Sequence, residues 1–218
     1  MKYTCVIFDL DGTLLDTLDD LTDSVNMALG AFGFPRRTKE QVREFVGNGV
    51  ARLVALAVPT GTPKEVELAC LDKFKEIYAQ NCTNQTRPYA YVPEMLTHLR
   101  TMGVKVGIVS NKFDGAVKML AKQYFDGMVD VAVGERENQG IRKKPCPDTV
   151  FEAMAQMRAD PTATAYVGDS EVDILTAQNA GMPCLSVSWG FRTREQLIDA
   201  GADLLFEDAQ ALEAYLLD

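Results

Sequence analysis

At 218 residues, 47% hydrophobic and 24% charged, the chain has room for one large domain or a core with a smaller insert, and it needs no staple to bury an adequate core. A net charge of −9 argues against nucleic acid or an anionic membrane surface as the main partner. Five scattered cysteines without CxxC spacing (Cys5, Cys70, Cys82, Cys146, Cys184), no leader pattern and no run of about 18 apolar residues exclude a disulfide framework, a zinc site and a membrane span, and predict a cytoplasmic protein.

The chain opens with Lys2-Tyr3-Thr4-Cys5-Val6-Ile7-Phe8, an apolar, β-branched run that reads as a buried parallel strand. Asp9 and Asp11 stand where it stops, two apart, so an extended segment projects both to one side. Gly12 lets the backbone turn, and Thr13 is placed to hydrogen-bond back to the freed backbone. Two like charges so close repel unless a cation intervenes. Magnesium suits them, because it takes oxygen ligands and bridges carboxylates to phosphate. An ordinary Asp-rich turn accounts for the glycine but not for an acidic pair ending an apolar strand.

Asp9-Leu10-Asp11-Gly12-Thr13-Leu14 resembles the first motif of the haloacid dehalogenase superfamily, phosphatase branch. The resemblance implies that Asp9 is the nucleophile, forming an aspartyl-phosphate, and that Asp11 is general acid and base. It also implies phosphate-side contacts at Gly12 and Thr13.

From Asp16 to about Tyr89 the pattern is helical. Leu18, Leu21, Val25, Ala28, Leu29 and Phe32 predict a helix ending near Gly33. Val42, Phe45 and Val46 begin a second, which Gly47-Asn48-Gly49 interrupts before Val50, Leu53, Val54 and Leu56 resume. Pro63 opens another, carrying Val66, Leu71, Phe74, Ile77 and Tyr78. No strand is expected in this stretch, which is too long for a connecting loop. The expected organisation is a helical cap at 16–88 inserted into a core of 1–15 and 89–218.

Beyond Val92 helices and strands alternate. Helices are expected at Val92–Met102, Ala116–Tyr124, Thr149–Met157, Val172–Ala180, Glu195–Ala200 and Ala209–Leu217. Strands are expected at Val104–Val109, Val129–Val133, Ala163–Val167, Pro183–Val187 and Asp203–Phe206. Such alternation implies an α/β fold with a doubly wound, Rossmann-like parallel sheet, whose ligands bind beyond the carboxyl ends of the strands.

Three further segments fall at those ends. Ser110-Asn111-Lys112 follows a strand, and Ser110 is expected to open the next helix, either as an ordinary cap or holding a phosphate oxygen. In Arg142-Lys143-Lys144-Pro145-Cys146-Pro147-Asp148 the prolines stiffen a charged loop around Lys144. Asp169 and Asp173 share one face if a helix starts between them, although an acidic helix start alone explains such a pair. These segments resemble the remaining three motifs of the same superfamily. The resemblance implies Ser110 and Lys144 as catalytic groups, Asn111 as a substrate contact, and magnesium held by Asp9, the backbone carbonyl of Asp11, Asp169 and, directly or through water, Asp173.

The resemblance spans nearly the whole chain and is greatest to the helical-cap, phosphoglycolate phosphatase-like group, with Tyr91-Val92 replacing the usual Pro-Gly-Val. It implies a magnesium-dependent phosphatase for a small phosphorylated metabolite. Gly47, Asn48 and Gly49 are expected to contact the substrate, because glycines expose backbone N–H groups ahead of a helix start. A β-phosphoglucomutase-like mutase or a pyrophosphatase would use the same core. A phosphoacceptor receiver domain is disfavoured by the large insert and the Asp9-x-Asp11-Gly12-Thr13 spacing. Trp189 is expected to pack at a sheet edge, Glu171 and His98 to be solvated, and Arg36, Arg37, Arg43 and Arg52 to lie mostly at the surface.

Overall fold

The structure, a computed structural model, describes residues 2–218. In chain order its elements are β1 (Cys5–Phe8), β2 (Leu15–Asp16), α1 (Leu18–Ala31), α2 (Lys39–Phe45), α3 (Val50–Ala57), α4 (Lys64–Asn81), β3 (Arg87–Pro88), α5 (Val92–Thr101), β4 (Lys105–Phe113) and α6 (Asp114–Phe125). They continue as β5 (Val131–Glu135), α7 (Asp148–Met157), β6 (Thr164–Gly168), α8 (Glu171–Ala180), β7 (Cys184–Val187), α9 (Arg194–Asp199), β8 (Leu204–Phe206) and α10 (Ala209–Leu217). The chain divides into two compact units: Met1–Leu15 with Pro88–Asp218, and Asp16–Arg87.

The first unit is built on a parallel six-stranded sheet ordered β5-β4-β1-β6-β7-β8. Side chains alternate across each strand, so β1 serves two cores at once. Val6 and Phe8 join Leu96 and Leu99 of α5, Leu120 of α6 and Leu212 of α10. Cys5 and Ile7 join Val150, Ala153 and Met154 of α7 and Ala177 of α8. The central place of β1 matters for chemistry. It pairs with β4 through Phe8 and Ile108 and with β6 through Phe8 and Val167, so the three strand ends bearing motif residues are adjacent.

The second unit is four helices, α1 to α4, around Leu21, Val25, Leu29, Val42, Leu53, Phe74 and Tyr78, with Phe74 and Tyr78 stacked. Buried Asp20 accepts from the backbone N–H groups of Gln85 and Thr86, which ties the end of the unit to its first helix. Arg37 is half-buried and donates to the carbonyls of Ala57 and Val58, which satisfies the end of α3; it is a structural clamp rather than a surface charge. Arg36, Arg43 and Arg52 are exposed. The turn between α2 and α3 has Gly47 at φ 124° and Gly49 at φ 85°, dihedrals that side-chain-bearing residues avoid.

Two expectations need correction. The polar run Ser110-Asn111-Lys112 does not open a helix: β4 continues through it to Phe113, with an irregular register against β5, and α6 begins only at Asp114. Ser110 instead accepts from the Lys112 backbone N–H, which turns its hydroxyl to the strand itself. The helical stretch is also not free of strand, because β2 and β3 form a two-residue ladder where the chain passes between units. At the departure from Pro-Gly-Val, Tyr91 takes a left-handed φ of 64° at the start of α5.

Candidate active site

The loop after β1 is held tightly. Asp9 stays in the ladder, its N–H donating to Val167 O at 2.9 Å. Gly12 has φ 88°, and a Cβ there would stand 2.3 Å from Asp169 Oδ2; only a residue without a side chain lets the loop lie against that carboxylate. Thr13 Oγ1 donates not to the backbone, as expected, but to Asp169 Oδ1 at 2.9 Å.

Across β6, Asp169 precedes the Ser170 cap of α8, and Asp173 is the third residue of that helix, so a helix does start between them. Asp173 Oδ2 accepts from the backbone N–H and hydroxyl of Ser170, an arrangement that caps the helix and fixes the carboxylate. Its Oδ1 accepts from Lys144 Nζ at 2.7 Å and from the Tyr166 hydroxyl at 3.2 Å. Asp169 Oδ2 accepts from the Phe191 backbone N–H at 2.7 Å.

Lys144 is the hub. Its ammonium lies 2.8 Å from Asp9 Oδ1, 2.7 Å from Asp173 Oδ1 and 3.0 Å from the Tyr166 hydroxyl. The contact with Asp9 is an ion pair of poor hydrogen-bond alignment, and Asp9 Oδ1 is buried without a hydrogen bond. The backbone of Lys144 is gripped by Asn111: Asn111 Nδ2 donates to Lys144 O, and Lys144 N donates to Asn111 Oδ1. Asp11 is paired elsewhere, with Lys112, whose Nζ donates to both of its oxygens at 2.7 and 2.9 Å.

Burial dominates the electrostatics. It pushes the Asp9 carboxyl up to about 7 against the opposing pull of Lys144. Burial, then Asp173 and Asp9, push Asp169 well above the ordinary carboxylate range. Burial works against the charge of Lys144, but Asp173 and Asp9 outweigh it and hold the ammonium well above its usual value.

Oxygens of Asp9, Asp169 and Asp173 lie within 4.8 Å of one another. Fully ionised, three carboxylates facing one ammonium leave two negative charges uncompensated in a water-poor site. All three donors are hard oxygens, and one, Asp9 Oδ1, has no hydrogen bond. This set fits a small divalent cation such as magnesium. The carboxylate of Asp11 is not in the cluster.

Of the expected site residues, the structure brings Asp9, Gly12, Thr13, Asn111, Lys144, Asp169 and Asp173 into one connected network. Ser110 and Asp11 adjoin it through Lys112. Gly47, Asn48 and Gly49 belong to the other unit. Several participants escaped sequence reasoning. Tyr166 reads as one more apolar strand residue, yet its hydroxyl is bonded to Lys144 and Asp173. Trp189 is not an edge residue: its indole N–H donates to Thr13 O. A Cβ on Gly190 would stand 2.3 Å from Gly12 O, so the Trp189-Gly190-Phe191 loop braces the turn that follows Asp9. Glu171 is not free in solvent but pairs with Arg192. His98 is exposed as expected, and contacts Glu213.

A buried aspartate ending the central strand of a parallel sheet, an adjacent buried lysine and a carboxylate cluster on the neighbouring strand define a hydrolase-type acidic site. Residues 6–187 match the haloacid dehalogenase-like hydrolase family, and the chain belongs to it. It is 33% identical to a phosphoglycolate phosphatase of Vibrio vulnificus (strain CMCP6), an alignment covering 97% of this chain and 96% of that one. It is 30% identical to the phosphoglycolate phosphatase of Mannheimia succiniciproducens, covering 95% of each. Among solved structures, a protein of Lactobacillus delbrueckii subsp. bulgaricus provisionally assigned as a phosphoglycolate phosphatase superposes with a TM-score of 0.93, at 35% identity over 99% of both chains. Among the described residues no helix is long and apolar enough to cross a membrane.

Proposed function

We propose that the chain is a magnesium-dependent phosphatase that hydrolyses a small phosphomonoester, phosphoglycolate first among them, through an aspartyl-phosphate on Asp9. The observation that carries the reading is the state of Asp9: buried at the end of the central strand, one oxygen without a hydrogen bond, and an ammonium 2.8 Å away. A carboxylate so placed is a nucleophile once the charge of an incoming phosphate is masked. Magnesium would be held by Asp9, Asp169 and the backbone carbonyl of Asp11, with Asp173 in support, and when bound it would neutralise charge on the phosphoryl oxygens.

The chain's own residues do the rest. Asp9 attacks phosphorus while Lys144 offsets the accumulating negative charge. Asp173 and Tyr166 hold Lys144 in place, and Asn111 fixes its backbone. Ser110, Gly12 and Thr13 are assigned to the phosphate side. Asp11 gives a proton to the departing alcohol and then takes one from the water that cleaves the aspartyl-phosphate. The core groups address phosphate alone, so discrimination among leaving groups is assigned to the helical unit, at Gly47, Asn48 and Gly49. The names of the relatives support phosphoglycolate as the substrate.

The test is steady-state hydrolysis of phosphoglycolate by the purified chain, with magnesium and with EDTA, for wild type and Asp9→Asn. Metal-dependent turnover that Asp9→Asn abolishes while remaining folded is expected, with an added phosphoryl mass on Asp9 in quenched wild type. Turnover by Asp9→Asn would remove the nucleophile assignment, and indifference to phosphoglycolate would remove the substrate.

A further inference from the structure

We infer that Lys112 is a positioning residue for Asp11, holding in place the carboxylate that serves the leaving group; the inference rests on the reading of Asp11 as acid and base. Lys112 lies near the end of β4, and its side chain is 2% exposed. Burying an ammonium is strongly unfavourable unless a partner compensates, so buried lysines are rare without one. The partner here is Asp11, 101 residues earlier in the chain, bonded through both oxygens at 2.7 and 2.9 Å. Each aspartate of the β1 loop thus has its own buried lysine: Lys144 lies against Asp9, and Lys112 against Asp11.

The pairing exists because β4 runs on past Val109. Had a helix begun at Ser110, Lys112 would sit in its first turn. Continued strand, with Lys112 N–H bonded to Ser110 Oγ, instead delivers the side chain to Asp11. Asp11 stands directly before the Gly12 turn, whose φ is 88°, and the Lys112 pair reaches it from a strand distant in the chain.

The chemistry explains why restraint would matter. In the first step an Asp9 oxygen bonds to phosphorus, the ester P–O bond breaks, and the proton on Asp11 passes to the departing oxygen to give the alcohol. In the second, water bonds to phosphorus, its proton passes to Asp11, and the Asp9–phosphorus bond breaks to release phosphate. One carboxyl group must meet two different oxygens at nearly the same place. Lys112 gains and loses no proton and forms no bond to substrate; its ammonium, bonded to both oxygens in this structure, fixes where the Asp11 carboxylate stands. Misplacement by about 1 Å costs on the order of 100-fold in rate.

The experiment compares kcat/KM for phosphoglycolate, whose alkoxide needs a proton to leave, with that for p-nitrophenyl phosphate, whose nitrophenolate does not. It uses the magnesium-loaded full chain in wild type, Lys112→Met, Lys112→Gln and Asp11→Asn, each checked for folding by thermal melting. We expect Lys112→Met to lower the phosphoglycolate value about 100-fold and the p-nitrophenyl phosphate value less than about 10-fold. Lys112→Gln, which keeps a donor for Asp11, should fall between and serves if the methionine variant does not fold. A residue that only filled space would depress both substrates equally and leave their ratio unchanged. That result, alongside a changed ratio in Asp11→Asn, overturns the inference alone. An unchanged ratio in Asp11→Asn overturns the acid–base reading and the inference with it.

Discussion

Asn111 holds the backbone of Lys144 at both ends, accepting from its N–H at 2.8 Å and donating to its carbonyl at 3.0 Å. One side chain therefore satisfies two buried backbone groups and aims the ammonium that faces Asp9. Asn111→Ala should leave both groups unsatisfied, at about 1–3 kcal/mol each, and lower phosphatase activity by more than about 10-fold as Lys144 loses its direction. Urea denaturation read beside kcat/KM checks both parts. A variant as stable and active as wild type would show that the clamp carries nothing.

Asp9 supplies a prediction about pH. Burial raises its carboxyl from 3.8 in the unfolded chain to about 7 in the fold. Because the folded value is the higher, the protonated form favours folding. That contribution is complete below about pH 4 and is lost as pH rises through about 7. Asn cannot ionise, so in EDTA the melting temperature of Asp9→Asn relative to wild type should rise between pH 5 and pH 8, a gain of at most roughly 3 kcal/mol. Magnesium should cancel the difference at pH 8. Parallel melting curves at both pH values in EDTA would contradict it.

Gly12 packs against Asp169, a proposed magnesium ligand, with no room for a methyl group. Gly12→Ala meets both a left-handed φ of 88° and a Cβ 2.3 Å from Asp169 Oδ2. The backbone strain alone costs about 1–2 kcal/mol. Displacing Asp169 should weaken magnesium binding by about 10-fold or more, as second contacts of metal ligands commonly do. Isothermal titration with magnesium measures it; unchanged affinity in a folded Gly12→Ala protein would detach Asp169 from the metal.

Specificity is tested in the helical unit. Gly49→Val should raise KM for phosphoglycolate more than for p-nitrophenyl phosphate. Gly49 has φ 85°, so valine also strains the start of α3, and the exposed Asn48→Ala is the companion that leaves both glycine dihedrals alone. Equal effects on the two substrates in both variants would relieve this turn of any part in recognition.

Most of the architecture was legible because it follows from local period. Leu18, Leu21, Val25 and Leu29 at helical spacing mark α1, and the unbroken run before Asp9 marks β1, buried on both faces. The acidic members of the site were legible for a related reason: carboxylates stand out where apolar strands end. What escaped depends on partners distant in the chain. Ser110-Asn111-Lys112 looks like a strand terminator because Asp11 and Lys144, which the Lys112 and Asn111 side chains meet, are distant in the chain and are supplied by the fold. Tyr166 looks apolar until Lys144 and Asp173 are placed beside its hydroxyl. Trp189 likewise acquires meaning only from Thr13.

The two-residue ladder of β2 and β3 has a consequence for the history open to this chain. It fastens together the outgoing and returning ends of Asp16–Arg87, so the loop that the sheet must close is already closed at its neck. Loop-closure entropy grows only with the logarithm of length, and a cinched neck removes most of even that dependence. The helical segment can therefore lengthen, shorten or be exchanged whole as a cassette with little penalty to the sheet that carries Asp9. Recombination at that one narrow junction would exchange the helical unit and leave the strand ends that carry Asp9, Lys144 and Asp169 as they are.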